Sequence, residues 1–167
     1  MAWFGVYCRM KVYRLEKTQK LPITIEQAWA FFSTPKNLQA ITPKDLSFEI
    51  LTDLGDDKMY AGQIINYKVS PFPGIKMRWT TEITHVEEGV YFVDEQRFGP
   101  YSFWHHKHFF KAIDGGVLAT DIVDYAVPMG ILGQLVHPFI VRNKLEHIFD
   151  FRFKKLEETF GVFNANH

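Results

Sequence analysis

The sequence predicts an α+β fold, a curved antiparallel sheet of about seven strands packed against one long C-terminal helix, with two short helices after the first strand. Three observations lead there. An alternating segment opens the regular part of the chain, six strand-like segments then follow without an intervening helix, and the period finally changes to that of an amphipathic helix.

Met10 to Leu21 alternates, with Tyr13 and Leu15 on one side and Arg14, Glu16 and Thr18 on the other, as a strand with one wet face does. Pro22 ends it. Thr24 stands three residues before Gln27, the capping-box spacing, ahead of the apolar run AWAFF, so a helix is expected from about Ile25 to Ser33. Pro35 opens a second short helix, KNLQAI, which Pro43 closes. Between Leu46 and Val127 the segments LSFEIL, GQIINYKVS, IKMRWTTEITHV, VYFVDEQRF, SFWHHKHFFKAI and VLATDIVDYAV are separated by GDD, PFPG, EEG, FGP and DGG. These separators are turn residues, and they predict a meander with short links. Beyond Pro128, Gly130 and Gly133, the residues Leu135, Phe139, Leu145, Ile148, Phe149, Arg152, Leu156 and Phe160 recur at three and four. Pro138 is expected to break the first turns or begin the main helix, Lys154 and Lys155 suit its C-terminal end, and Gly161 supplies the stop.

A chain of 167 residues fits one domain with a sizeable core. We expect that domain over residues 10–161, a loosely held leader or upstream start over 1–9, because Met10 directly precedes the first regular segment, and a tail over 162–167. Lys and Arg balance Asp and Glu at 19 each, so no whole-molecule field attracts nucleic acid or an anionic membrane. No run approaches the ~20 apolar residues that span a bilayer, and the opening MAWFGVYCR does not read as a secretory signal. The single cysteine, Cys8, excludes an internal disulfide and a multi-cysteine metal site, and suits a reducing cytoplasm. Aromatic residues make up 16% of the chain, which serves either a Phe-rich core or an apolar ligand.

The densest aromatic stretch is Tyr101 to Phe110, YSFWHHKHFF. With Gly115-Gly116 as a two-residue turn, Asp114 faces Val117, and the ladder sets Phe110 against Asp121, His108 against Val123, His106 against Tyr125 and Trp104 against Val127. The alternate set places Lys107 opposite Asp124 and Lys111 opposite Thr120, pairs that suit water. Trp104, His106, His108, Phe110, Asp121, Val123 and Tyr125 are therefore expected inside. A three-residue loop at Phe98-Gly99-Pro100 adds Phe92, Asp94 and Gln96 to that face, with Glu95 outside near Lys107; a slip of one residue would exchange the faces. Trp79 and Tyr67 lie on the apolar sides of their segments. Unpaired polar groups in a sealed core cost about 1–3 kcal/mol each, so an aromatic wall dotted with Asp and His suits a small-molecule pocket better.

The phrases ITIEQAWAFFSTPKNLQAITP, FVDEQRFGPYSFWHHKHFF, TDIVDYAVPMGILG and KLEHIFDFR resemble a bacterial branch of the START or birch-pollen-allergen-like superfamily, also called SRPBCC. That resemblance covers about Met10 to Gly161 and implies the helix-grip fold, with a cavity between sheet and helix and a mouth near the two short helices. It implies a hydrophobic ligand, such as a lipid, isoprenoid or polyketide, no cofactor, and a monomer or homodimer. The helix would contribute Phe139, Phe149 and Leu156 to the cavity floor, while Arg152 would meet an acidic ligand group or Asp94, make a structural pair, or snorkel to water.

The expected ligand-binding set is therefore Tyr67, Trp79, Phe92, Asp94, Trp104, His106, His108, Phe110, Asp121, Tyr125, Phe139, Phe149 and Arg152. Other chemistries stay open. His106 and His108, two apart on a strand, can converge on a metal ion with Asp121 or Asp94, or serve as hydrogen-bonded pocket histidines. His106 beside Tyr125 and Asp121 suits acid–base work of the cyclase or hydrolase type, although no activated nucleophile is recognisable. A protein-interaction module is the third class, and the mixed outer face of the last hairpin gives it the least support.

Overall fold

The computed structural model describes residues 11–164, apart from 56, 57 and 73, so the leader expected at 1–9 lies outside the described residues. The chain runs β1 (Tyr13–Leu21), α1 (Ile25–Phe32), α2 (Pro35–Ala40), β2 (Glu49–Ile50), β3 (Ile64–Phe72), β4 (Ile75–Glu87), β5 (Tyr91–Phe98), β6 (Phe103–Ile113), β7 (Gly116–Ala126), α3 (Gly130–Val136) and α4 (Val141–Phe160). All seven strands form one antiparallel sheet in the order β1-β7-β6-β5-β4-β3-β2, so the first strand lies beside the last.

The helices after β1 arise as their local sequences dictate. The Thr24 side chain accepts from the Gln27 N–H, and the Gln27 side chain accepts from the Thr24 N–H, a complete capping box. Pro35 sits in the first turn of α2. At the far end, Gly161 takes φ +93° and donates to the Glu157 carbonyl, closing α4 as expected.

Three differences from the sequence expectation matter. The segment LSFEIL yields only the two-residue β2, and the link to β3 is a long one, since the described residues between Leu51 and Gln63 belong to no strand. The terminal helix breaks around Pro138 as expected, but the three-and-four period does not carry across the break: Leu135 and Phe139 stand 64% and 76% exposed, whereas Leu145, Phe149, Arg152 and Leu156 of α4 are buried. Phe139 therefore contributes nothing to the cavity floor. Leu156 is in the core with Trp29 and Phe110, also away from the cavity.

The third difference is register. The β6–β7 ladder closes with Ile113 opposite Gly116 around a two-residue Asp114-Gly115 turn, not around Gly115-Gly116. Gly115 holds the left-handed φ of +75°, while Gly116 stays in the strand because a Cβ there would sit 2.1 Å from the Leu21 carbonyl oxygen. The ladder thus moves by two residues: faces are preserved and partners change. Trp104 meets Tyr125, His106 meets Val123, His108 meets Asp121 and Phe110 meets Ala119. The β5–β6 pair is likewise displaced by two, with Asp94 opposite His106, because the Gln96 side chain ties both the N–H and the carbonyl of Tyr101 and widens the loop. Glu95 lies outside and bonds His105 and Arg97, and Lys107, which faces Ile122 instead of Asp124, still reaches Asp124 diagonally at 2.8 Å.

Irregularities in the β3–β4 and β4–β5 ladders, between Val69 and Phe72 and between Ile83 and His85, bend the sheet around α4. Three buried clusters result, one under α1 around Trp29 and Phe110, one around Ile65 and Ile83, and one between β6–β7 and α4 around Trp104, Tyr125 and Phe149. In the tail, Phe163 packs over Gly115 and Gly116. Because the Gly116 site admits no side chain against Leu21, Gly116→Ala is expected to cost about 1–3 kcal/mol by overpacking, read from a lower urea midpoint with unchanged slope. An unchanged midpoint would show that β1 and β7 part easily there.

Candidate functional site

A cavity of about 400 Å³ lies between the concave face of the sheet and α4, with α1, α2 and the 127–141 segment round its rim. Its size suits a small-molecule pocket, for which about 300–1,000 Å³ is usual. Ile65, Tyr67 and Val69 of β3, Trp79, Thr81 and Ile83 of β4, and Phe149 of α4 form an apolar wall. Trp79 meets Trp104 edge-on at 5.1 Å between ring centroids, and Trp104 is only 8% exposed.

One end of this cavity is polar. His106 and His108 are neighbours on one face of β6, their ring centroids 3.7 Å apart, and the flanking strands set a carboxylate on each side, Asp94 from β5 and Asp121 from β7. His106 Nε2 is 2.8 Å from Asp121 Oδ1, and its Nδ1 is 3.4 Å from Asp94 Oδ2. His108 Nε2 is 2.8 Å from Asp94 Oδ2, and its Nδ1 is 2.9 Å from Asp121 Oδ1. Trp104 Nε1 donates to Asp94 Oδ1 at 3.3 Å. From α4, Arg152 places Nη1 3.6 Å from Asp121 Oδ1, with its guanidinium over the Phe149 ring.

A neutral imidazole donates through one nitrogen only, whereas His108 has a carboxylate oxygen within hydrogen-bond reach of both. Burial pushes His108 down, but the bonds to Asp121 and Asp94 outweigh it and the group is raised above its ordinary value. His106 is lowered by burial and by the neighbouring charge of His108, which Asp94 and Asp121 offset only in part. Burial likewise raises both carboxylates, yet the histidine contacts prevail: Asp94 lies below the usual range and Asp121 well below it. Asp121 thus faces Arg152 and both histidines, while Asp94 faces the histidines from the other side. Coupled groups of this kind titrate as a unit.

The sequence-predicted residues divide cleanly. Tyr67, Trp79, Phe92, Asp94, Trp104, His106, His108, Phe149 and Arg152 line the cavity. Phe92 stacks on His108 at 4.1 Å. Asp121 stands behind the two histidines instead of on the cavity surface, and the two-residue register shift carries it from Phe110 to His108. Phe110 packs under α1 against Trp29 and Phe32. Tyr125 points away from the histidine pair; its hydroxyl is hydrogen-bonded to His137 Nε2 at 2.7 Å, and burial pushes the phenol up to about 12. His137 itself is held neutral by burial and by Lys11 and Arg142, and stacks on Tyr13 at 3.5 Å. His106, Tyr125 and Asp121 therefore do not form the acid–base group considered from the sequence.

Sequence reasoning missed the rim residues Phe31, Phe32, Asn37, Leu38 and Ile41, as well as Tyr101 and Lys144. Helical spacing from Arg152 and Phe149 back through Ile148 and Leu145 pointed toward Lys144. Nothing local marked α1 and α2 as cavity walls, and nothing linked His137 to Tyr125. Among the described residues, Asp94, His106 and His108 offer ligand atoms within 4.8 Å of one another, a grouping that can hold a metal ion. The short imidazole–carboxylate distances equally fit hydrogen bonds. Among the described residues no helix is long and apolar enough to cross a membrane.

No protein-family model matches this chain, and no curated protein matches it. Solved structures do. A Thermus thermophilus protein, TTHA0849, superposes with a TM-score of 0.67 at 16% identity, over 87% of this chain and 95% of that one. A Thalictrum norcoclaurine synthase point mutant, in complex with a transition-state analogue, gives 0.62 at 15% identity, over 90% and 97%. Ara h 8.0201, a birch-pollen-allergen-like protein, gives 0.58 at 16% identity, over 89% and 99%. With the sheet order, the two short helices after β1 and α4 in the concavity, these superpositions show that the chain has the helix-grip fold of the START or birch-pollen-allergen-like superfamily.

Proposed function

We propose that the protein binds and carries a small hydrophobic molecule, of the lipid, isoprenoid or polyketide kind, in the cavity between sheet and α4, acting in the cytoplasm as a monomer or homodimer. The observation that carries this is the cavity of about 400 Å³, apolar over most of its wall and polar at one end. A few convergent polar groups in an apolar pocket fix orientation while apolar contact supplies affinity. Mixed apolar and polar lining also explains the aromatic richness of the chain, because Tyr67, Trp79, Phe92 and Trp104 face the hollow instead of closing it.

Native mass spectrometry of the purified protein, followed by organic extraction, is expected to show a stoichiometric hydrophobic adduct. Leu38 of α2 lines the cavity and packs against the clusters on both sides, so Leu38→Trp should occlude the space. We expect that variant to fold, by far-UV circular dichroism, and to lose the adduct at least tenfold. An adduct retained in full by Leu38→Trp would put the ligand elsewhere, and a divalent ion in place of an organic adduct would favour the metal reading.

The buried imidazole–carboxylate network supports a second reading, an enzyme that moves a proton on a hydrophobic substrate. His106, which lines the cavity and whose imidazole is lowered by burial and by His108, is the group placed to accept one. Turnover of a polyketide-like substrate that disappears in His106→Gln would favour it.

A further inference from the structure

Among the described residues, Arg152 is the one arginine or lysine buried at the polar end of the cavity, and the network around it does not satisfy it. Its side chain is 10% exposed. Nε is fully buried without a hydrogen-bond partner, and among the described residues the guanidinium makes no hydrogen bond. Its single counter-charge, Asp121 Oδ1 at 3.6 Å, already receives His106 Nε2 at 2.8 Å and His108 Nδ1 at 2.9 Å. Both lone pairs of that oxygen are thereby engaged. The side chain is turned inward from α4 with its guanidinium over the Phe149 ring instead of reaching out to solvent.

A buried arginine on the cavity lining whose guanidinium makes no hydrogen bond among the described residues is a built recognition element, and its planar fork matches a carboxylate in bidentate fashion. We infer that the ligand of this cavity is an apolar molecule bearing one carboxylate, held by Arg152, with its apolar body along Ile65, Tyr67 and Trp79. The inference rests on the carrier reading and adds the chemical class of the ligand to it. A lone neutral oxygen would leave the buried positive charge with only the distant, shared Asp121.

The test compares acid and alcohol on matched apolar bodies, using delipidated full-length protein and isothermal titration calorimetry. One pair is dodecanoate and 1-dodecanol; the other is 2-naphthoate and 2-naphthalenemethanol, so that shape does not decide the result. In the wild type we expect the acid of at least one pair to bind at least tenfold tighter than its alcohol. Arg152→Gln should abolish that preference while keeping the affinity for the alcohol, and Arg152→Lys should keep part of it, since charge without the fork remains. Equal affinities for acid and alcohol in the wild type overturn the inference and leave the carrier reading standing, as does a preference that survives Arg152→Gln. If none of the four compounds binds the wild type, the inference is overturned together with carriage of these molecules. Should Arg152→Gln not fold, the wild-type comparison and Arg152→Lys decide between the same two results.

Discussion

Asp121→Ala is expected to lower the free energy of unfolding by about 3–5 kcal/mol, the usual cost of removing one partner from a buried ionic group. Its Oδ1 serves His106, His108 and Arg152 together, at 2.8, 2.9 and 3.6 Å. Without it, Arg152 has no counter-charge among the described residues and His108 has only Asp94, at side chains that are mostly buried. Surface pairs behave differently. Arg14–Asp124 has a 60% exposed arginine, so Arg14→Ala should cost no more than about 1 kcal/mol. For a chain of this length the Asp121 loss corresponds to a fall in melting temperature of roughly 10 °C. Urea unfolding of both variants checks the ranking. If Asp121→Ala proves no worse than Arg14→Ala, the network is hydrated and the polar end is open to solvent.

The second large effect is acid lability. Asp94 and Asp121 both titrate lower in the folded chain than their ordinary 3.8. A carboxylate lowered on folding contributes stability that is present above its unfolded value and is lost as pH falls through the folded one. The two histidines act in opposite senses around 6.5: the raised His108 contributes below that value and loses its contribution as pH rises through its folded value, whereas the lowered His106 contributes above it and loses its contribution as pH falls. The two therefore act in separate windows, His108 above 6.5 and His106 below it, so stability falls away on both sides of that value and the carboxylates add their loss at lower pH. Each proton taken up on unfolding steepens the profile by about 1.4 kcal/mol per pH unit, hence about 2.7 for the two carboxylates together. Unfolding free energy measured from pH 7 to pH 2.5 should decline below about 6.5 through His106 and drop more steeply below about 4, and Asp121→Asn should remove about half of the excess slope in that lower range. A wild-type profile that declines no faster than that of Asp121→Asn would disconnect these groups from stability.

How much of this was legible beforehand follows from the range of the forces involved. Caps, prolines and turn glycines act within a few residues, so Thr24 with Gln27, Pro35 and Gly161 located their helix ends directly. Alternation is equally local. It put Trp104, His106 and His108 on the inner face of β6, and parity survived a mistaken turn because the ladders moved by two residues and not by one. Phe139 shows the opposite case: its spacing from Phe149 and Leu156 looked helical, but Pro138 interrupts the helix and turns the residue outward.

The sequence by itself therefore determined the elements, their order and which side chains share a face, since each depends on neighbours along the chain. Tertiary structure alone decided who meets whom across strands. A shift of two in each of two ladders leaves the hydrophobic pattern untouched, yet it brings Asp94 and Asp121 onto His106 and His108 and sends Tyr125 to His137. Cross-strand register is fixed by loop geometry and long-range packing, such as the Gln96 clasp and the approach of Leu21 to Gly116, and period-two alternation carries no information about it.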